Sequence, residues 1–412
     1  MQIKEQNRIE EGEKYLSQHF QFLDNIEQVN FNKVLNALIE NKLGEQHFSW
    51  VTGYGHDDIG REKIDEIFAQ VFNTESAIVR PHFVSGTHTI TCCLFGCLRP
   101  GDELVSIAGE PYDTLHDVIG LTGNNKGSLK DFGVIYKEIP LVAASLKPAT
   151  TDIDAIPKYV TKKTKMVFIQ RSKGYHWRKS LTINDIEKII ALVKSINKDI
   201  ICFVDNCFGE FTETKEPTSV GADITCGSLI KNIGGGIVPA GGYIAGKKEY
   251  VEMAAQRLTA PGISHAGGCM FDLSRTILQG LFYAPHIVVQ ALKGISLASY
   301  VFKNCGFEVN PQPDEIKTDI VLSVKLENKS LLENICKTVQ SQSPVNSHLT
   351  PVPCKLPGYE DEVIMAGGTF IEGSTIELSC DAPIREPYVL YLQGGLNYLH
   401  MKHVLKTLLL LL

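Results

Sequence analysis

Four short segments hold residue types that packing alone does not call for. The first, Ser85-Gly86-Thr87-His88, heads a helical run expected over Thr89–Leu98, directly after a strand and a loop. Small residues with free N–H groups at a helix N-terminus suit an anion such as a phosphate. A plain N-cap serine accounts for Ser85 equally well. In the second, the apolar strand Ile200–Val204 runs into Asp205-Asn206. A carboxylate at a strand's carboxyl end lies in the crevice where α/β proteins bind ligands, although a turn-forming Asp-Asn pair reads the same. The third segment sets Lys231 inside the stretch 226–232 and just before Gly234-Gly235-Gly236. A lysine shielded from water and near other cations loses part of its basicity and becomes a nucleophile, suited to a Schiff base. The glycines let the backbone pass close to a flat ligand. The fourth, Asp381-Ala382-Pro383-Ile384-Arg385, holds an arginine on a rigid proline turn. Such an arginine makes a bidentate clamp for a carboxylate, or an ordinary surface ion pair.

Combined, the segments describe one cofactor site. The Ser85 loop holds a phosphate, Asp205 pairs with a protonated pyridine nitrogen, Lys231 supplies the amine and Arg385 grips an amino-acid carboxylate. Those are the requirements of pyridoxal 5′-phosphate (PLP).

Short apolar runs alternating with amphipathic stretches must position these residues. Strands are expected at Ala77–Val79, Glu103–Ser106, Met166–Gln170, Ile200–Val204 and Gly241–Ala245. Between them, Asp185–Ile196 carries Ile186, Ile189, Ile190 and Val193 on one helical face, with Thr182 and Asp185 at capping-box spacing. Strands alternating with helices imply an α/β fold with a mostly parallel sheet covered on both faces. Residues 1–48 read as an N-terminal helical segment, 49–285 as a large cofactor-binding domain and 286–412 as a smaller C-terminal α/β domain. In that last part we expect a helix over Val288–Phe302, a strand Ile320–Leu326, a helix Ser330–Gln342 and a strand pair, Thr369–Ile371 with Thr375–Ser379.

Composition narrows the function classes. The 412 residues are 43% apolar and 21% charged with a net charge of −7, a globular chain with no basic block for nucleic acid. No run of 18 or more apolar residues marks a membrane span, and the polar N-terminus carries no secretory signal. Eleven scattered cysteines lack zinc-ligand spacing, so free thiols in a reducing cytoplasm are expected. The Leu408–Leu412 run is expected to dock a last helical turn on the body or on a partner subunit.

The motifs GYGHDDIGRE (53–62), SGTH (85–88), LRPGDEL (98–104), EPYDTL (110–115), QRSKGY (170–175), VDNCFGEF (204–211), GSLIKNIGGG (227–236), RLTAPG (257–262), PGYEDEVIMAGGTF (357–370) and IREPY (384–388) are highly specific. Over about residues 25–400 the chain resembles the bacterial methionine gamma-lyase-like or cystathionine beta-lyase-like "aluminium resistance" proteins, which are fold-type I (aspartate aminotransferase-like) PLP enzymes. The resemblance implies that Lys231 carries PLP and Asp205 holds the ring nitrogen. It further implies that Ser85, Gly86, Thr87 and Ser228 bind the phosphate, Tyr112 stacks on the ring, and Arg385 takes the substrate carboxylate. Tyr54 and Arg61 match positions that cross a dimer interface to the phosphate, so a homodimer or homotetramer with shared active sites is implied. One departure stands out: relatives in the wider superfamily carry Asn-Pro where this chain has Gln170-Arg171-Ser172.

His56-Asp57-Asp58 reads as a capping turn rather than a metal site, and His88 as a residue packed beside the phosphate loop. The expected activity is β- or γ-elimination from a sulfur-containing amino acid such as cystathionine or methionine. Lys231 would move the Cα proton, and Tyr112 or Tyr54 would serve the leaving thiol as acid. The alternatives are a transaminase- or aldolase-type PLP enzyme, or a PLP-fold protein that confers aluminium tolerance by binding.

Overall fold

The computed structural model describes residues 2–123, 126–144 and 147–412. Its strands, in chain order, are β1 Ser76–Arg80, β2 Glu103–Ser106, β3 Ile135–Glu138, β4 Val142–Ala144, β5 Lys147–Thr150, β6 Thr164–Gln170, β7 Ile201–Asp205, β8 Ile224–Ser228 and β9 Gly242–Gly246. Those of the C-terminal part are β10 Glu308–Asn310, β11 Val321–Lys325, β12 Val363–Ala366, β13 Ser379–Pro383 and β14 Val389–Gln393. Seven strands form one sheet in the order β1-β9-β8-β7-β6-β2-β3. Its β8-β7-β6-β2-β3 portion is parallel throughout, and only β9 runs against its neighbours. A second sheet, β10-β11-β14-β13-β12, is antiparallel.

The central strands of the large sheet are buried along their whole length, as a parallel sheet with helices on both faces requires. On one face Ile78, Met166, Phe168, Phe203 and Ile224 pack with helices Gly86–Cys97 and Lys248–Leu258. On the other, Val167, Ile169, Cys202 and Val204 meet Ile186, Ile189, Ile190 and Val193 of helix Ile183–Ile196. The capping box expected there is present: Thr182 Oγ1 accepts the Asp185 N–H at 3.0 Å and Asp185 Oδ2 accepts the Thr182 N–H at 3.1 Å.

Two sequence expectations are corrected. The Thr369–Ile371 and Thr375–Ser379 strand pair does not form. The Glu377 carboxylate accepts the N–H groups of both Phe370 and Ile371 at 2.9 Å. Thr375 Oγ1 in turn accepts the Glu377 N–H at 3.0 Å. These side chains take the backbone donors a ladder would use, so 370–377 is a loop and the strands fall on β12, β13 and β14. The helix expected from Val288 instead begins at Ser274 and runs unbroken to Asn304 through Pro285, across the boundary placed at 285. By length and composition this helix could cross a bilayer. In the fold it is a core helix, packed against Ser17–Glu40 and Tyr398–Leu408. At the C-terminus Leu408 and Leu409 dock on this core, while Leu410 and Leu411 stay about half exposed.

Candidate active site

The register of β6, β7 and β8 puts Gln170 beside Asp205 and Asp205 beside Cys226, with Ser228 closing β8. These residues open at the carboxyl edge into a cavity of about 320 Å³, whose opposite wall comes from the second sheet and its loops. Ser85, Gly86, Thr87, Tyr112, Asp205, Ser228 and Lys231 all line this cavity. Tyr54, Arg61 and Arg385 do not.

Helix Gly86–Cys97 points its N-terminus into the cavity. Ser85 is extended and its Oγ accepts the His88 N–H at 3.2 Å, so it is an N-cap that also faces the cavity. A Cβ on Gly86 would stand 3.0 Å from Cys207 Sγ and 3.6 Å from Ser228 Cβ. Glycine therefore keeps open the space in front of the helix end. Thr87 Oγ1 is hydrogen-bonded to the Tyr112 hydroxyl at 2.8 Å and to Thr114 Oγ1 at 2.9 Å. Burial pushes the Tyr112 phenol well up. Gln170 locks the Tyr112 backbone: its Oε1 accepts the Tyr112 N–H at 2.8 Å while its Nε2 donates to the Ser172 carbonyl at 2.9 Å.

Asp205 is 4% exposed and Oδ1 accepts the Cys207 N–H at 3.1 Å. Burial raises its pKa, and the Cys207 N–H, Lys231 and Arg178 oppose that rise. Lys231 follows β8 and sets Nζ 3.6 Å from the ring centroid of Phe208, a residue held at φ +68°. Asn232 fixes that turn by donating from Nδ2 to the carbonyls of Phe208 and Glu210, each at 2.9 Å. The glycines after Lys231 face away from any ligand. A Cβ on Gly234 would lie 1.7 Å from the Leu229 carbonyl oxygen, and one on Gly235 (φ +58°) 2.3 Å from that of Gly280. They serve the packing of this turn on helix Ser274–Asn304, a correction to the flat-ligand reading.

The fourth segment is divided between wall and rim. Alternation along β13 turns Cys380 and Ala382 into the core and Asp381 toward the cavity. Arg385 lies beyond the strand, 40% exposed, with Nη1 3.0 Å from Asp361 Oδ2 and Nη2 donating to the Tyr175 carbonyl at 3.1 Å. Sequence reasoning missed Tyr175, Tyr359, Asp381 and Tyr391 as lining residues. The motifs QRSKGY and PGYEDEV pointed to the first two, and Asp381 stood inside a segment chosen for its arginine. The 172–175 turn is pinned to the second sheet from below. Ser172 Oγ donates to Asp319 at 2.9 Å, and Lys173 Nζ reaches Asp319 at 3.2 Å and the Val321 carbonyl at 2.7 Å.

Tyr54 is 79% exposed. Arg61 is buried and donates from Nη1 to the carbonyls of Gly55 at 2.9 Å and Gly268 at 3.0 Å. Asp58 caps helix Ile59–Val71, its Oδ1 accepting the Arg61 N–H at 3.0 Å. His88 Nδ1 accepts the Val84 N–H at 3.2 Å and lies outside the cavity lining.

A helix end kept clear by glycine, a buried carboxylate and a lysine amine around one cavity suit the phosphate, pyridine nitrogen and aldehyde of PLP. The fold is type I and the cofactor is PLP. The chain belongs to the methionine gamma-lyase family, whose model matches residues 5–411. It is a PLP-dependent carbon–sulfur lyase acting on a small amino-acid substrate. A solved structure from Clostridium novyi, a carbon–sulfur lyase involved in aluminium resistance, is 50% identical, with 98% of this chain and 95% of that one aligned at a TM-score of 0.93. A proposed cystathionine beta-lyase involved in aluminium resistance from Listeria monocytogenes is 46% identical over 98% and 99% of the two chains, with a TM-score of 0.94. An uncharacterised Bacillus subtilis protein, YnbB, is 47% identical over 384 residues, 93% of this chain and 90% of its own length.

Proposed function

We propose that the protein performs β- or γ-elimination on a sulfur-containing amino acid such as cystathionine or methionine, with Lys231 as the central catalytic residue. The observation that carries this reading is the meeting of Lys231, Asp205 and the Gly86–Thr87 helix end at one cavity. Lys231 would hold the cofactor through its amine, and the N–H groups of Gly86 and Thr87 with Ser228 would hold the phosphate. When bound, PLP supplies an electron sink in conjugation with the substrate Cα. Asp205 would pair with the pyridine nitrogen and hold a proton there. Lys231 Nζ would remove the Cα proton, and the Tyr112 ring would stack on the cofactor. Tyr112, bonded to Thr87, and Tyr54 are the candidate acids for the departing thiol. Arg385 orients the substrate carboxylate from the rim.

Tyr54, exposed and outside the lining of its own cavity, supports a homodimer or homotetramer in which Tyr54 and Arg61 complete the neighbour's phosphate site. A partition into an N-terminal helical segment to about residue 48 and two α/β parts joined by helix Ser274–Asn304 accompanies this reading, because the two cavity walls come from two sheets. Eleven free cysteines suit the reducing cytoplasm. The test is a panel of sulfur amino acids assayed for keto acid, ammonia and thiol. Release of all three from at least one thioether, dependent on PLP, is expected. Transamination or aldol cleavage without thiol release would refute the lyase assignment.

A further inference from the structure

Two acidic side chains of the cavity wall, Asp381 and Asp113, have no part in holding the cofactor or moving the Cα proton. Asp381 is 4% exposed, yet both of its side-chain hydrogen bonds, from Tyr175 Oη at 2.9 Å and Ser374 Oγ at 3.2 Å, fall on Oδ2. Among the described residues Oδ1 has no partner, and no arginine or second lysine lines the cavity. A carboxylate held on a cavity wall through one oxygen leaves the other open to the cavity for a donor.

Its surroundings favour a cationic one. The Tyr175 ring lies with its centroid 5.2 Å from that of Tyr391 and 5.7 Å from that of Tyr359, and all three residues line the cavity with Asp381. Aromatic walls beside a carboxylate suit an ammonium ion. At the rim, Glu360 and Asp361 add negative potential around Asp113 against Arg385 and His116. Lys231 is the only cation acting on Asp381 from within the site, and the proposed function engages that amine elsewhere.

Resting on the lyase reading, we propose that Asp381 is a specificity-determining residue that binds a second ammonium group. The enzyme would then take thioether amino acids whose far end carries an amine. Burial raises the Asp381 pKa while the Tyr175 and Ser374 bonds and Lys231 lower it, and an incoming cation would act in the same lowering direction.

The experiment titrates the PLP-loaded protein spectroscopically with two probes of equal length, S-(3-aminopropyl)-L-cysteine and S-butyl-L-cysteine. The amine is expected to bind about tenfold more tightly, the effect of one charge-assisted hydrogen bond. In Asp381→Asn the ratio should fall to about one, within the twofold spread of such context effects. Equal affinities in the unaltered protein, or a preference that survives in Asp381→Asn, would overturn the inference. The ratio in the unaltered protein decides without reliance on the variant's folding. Failure of the lyase reading looks different: the amine preference persists, but neither probe releases thiol. Absence of binding by both probes overturns both.

Discussion

On one side of the cavity, Gln170, Asp205 and Ser228 stand at the ends of three neighbouring parallel strands, where the backbone ladder sets their spacing. On the other, Tyr175, Tyr359 and Ser374 come from loops, and Val321, Met365, Asp381, Tyr391 and Gln393 from antiparallel strands. The first wall is a consequence of topology: parallel strands with helical crossovers align their carboxyl ends, so chemistry placed there is held rigidly. The second wall is held by side-chain contacts, the Lys173–Asp319 pair and the Tyr175–Asp381 bond among them. Loops fixed in this way can change shape and charge without disturbing the ladder. On the function and the inference proposed above, reaction type belongs to the first wall and substrate choice to the second.

Substitutions on the first wall should therefore cost turnover above all. Lys231→Ala should lower kcat by about a thousandfold, the scale of losing a positioned proton-transfer group, and should end covalent retention of PLP. Mass measurement after borohydride treatment checks this, and a reduced adduct in the variant would remove Lys231 from its role. Asp205→Asn should keep the fold and the cofactor yet lose about a hundredfold in kcat, as when one preorganised electrostatic partner is removed. Unchanged turnover with a normal melting curve would make Asp205 a turn residue.

The contrast sharpens if a third wall comes from a neighbouring subunit. Lys231→Ala and Arg61→Ala proteins, each defective alone, should complement when refolded together. Random pairing makes half the dimers mixed, and one site in each receives both intact residues. About a quarter of full activity should return, given symmetric isologous pairing. No gain, with subunit exchange verified, would place Arg61 outside its neighbour's site.

The smallest effect concerns what lies beneath the first wall. Glu210 is fully buried, its Oε1 accepting the Tyr243 hydroxyl at 3.0 Å and its Oε2 without a partner, and burial pushes its pKa up to about 8. An unfolded glutamate titrates near about 4.3. The raised value favours the folded state below the unfolded pKa, and this advantage is lost as pH rises toward 8. The melting temperature of Glu210→Gln should thus gain on that of the unaltered protein between about pH 4.5 and pH 8, a shift of several degrees at most for a chain this large. A pH-independent gap would mean that Glu210 does not change its charge over that range.

The chemistry of the first wall was legible because it lies in contiguous residues. Asp205 ends an apolar strand, Lys231 lies in an apolar stretch just before three glycines, and Ser85-Gly86-Thr87 opens a helix; each is a local pattern. The strands β2, β6 and β7 and helix Ile183–Ile196 were legible for the same reason, since periodicity and a capping box act within a few residues. Three other features depended on contacts distant in the chain. Glu377 captures the N–H groups of Phe370 and Ile371 and converts an expected strand pair into a loop. The core around Ser274–Asn304 carries one helix through Pro285. Strand alternation at β13, set by which face meets the core, sends Asp381 into the cavity and leaves Arg385 at its rim. The sequence by itself determined which residues can do chemistry, because nucleophiles, carboxylates and helix ends are properties of short segments. Only the tertiary structure decided which side chains face the cavity, because burial chooses between the two sides of a strand.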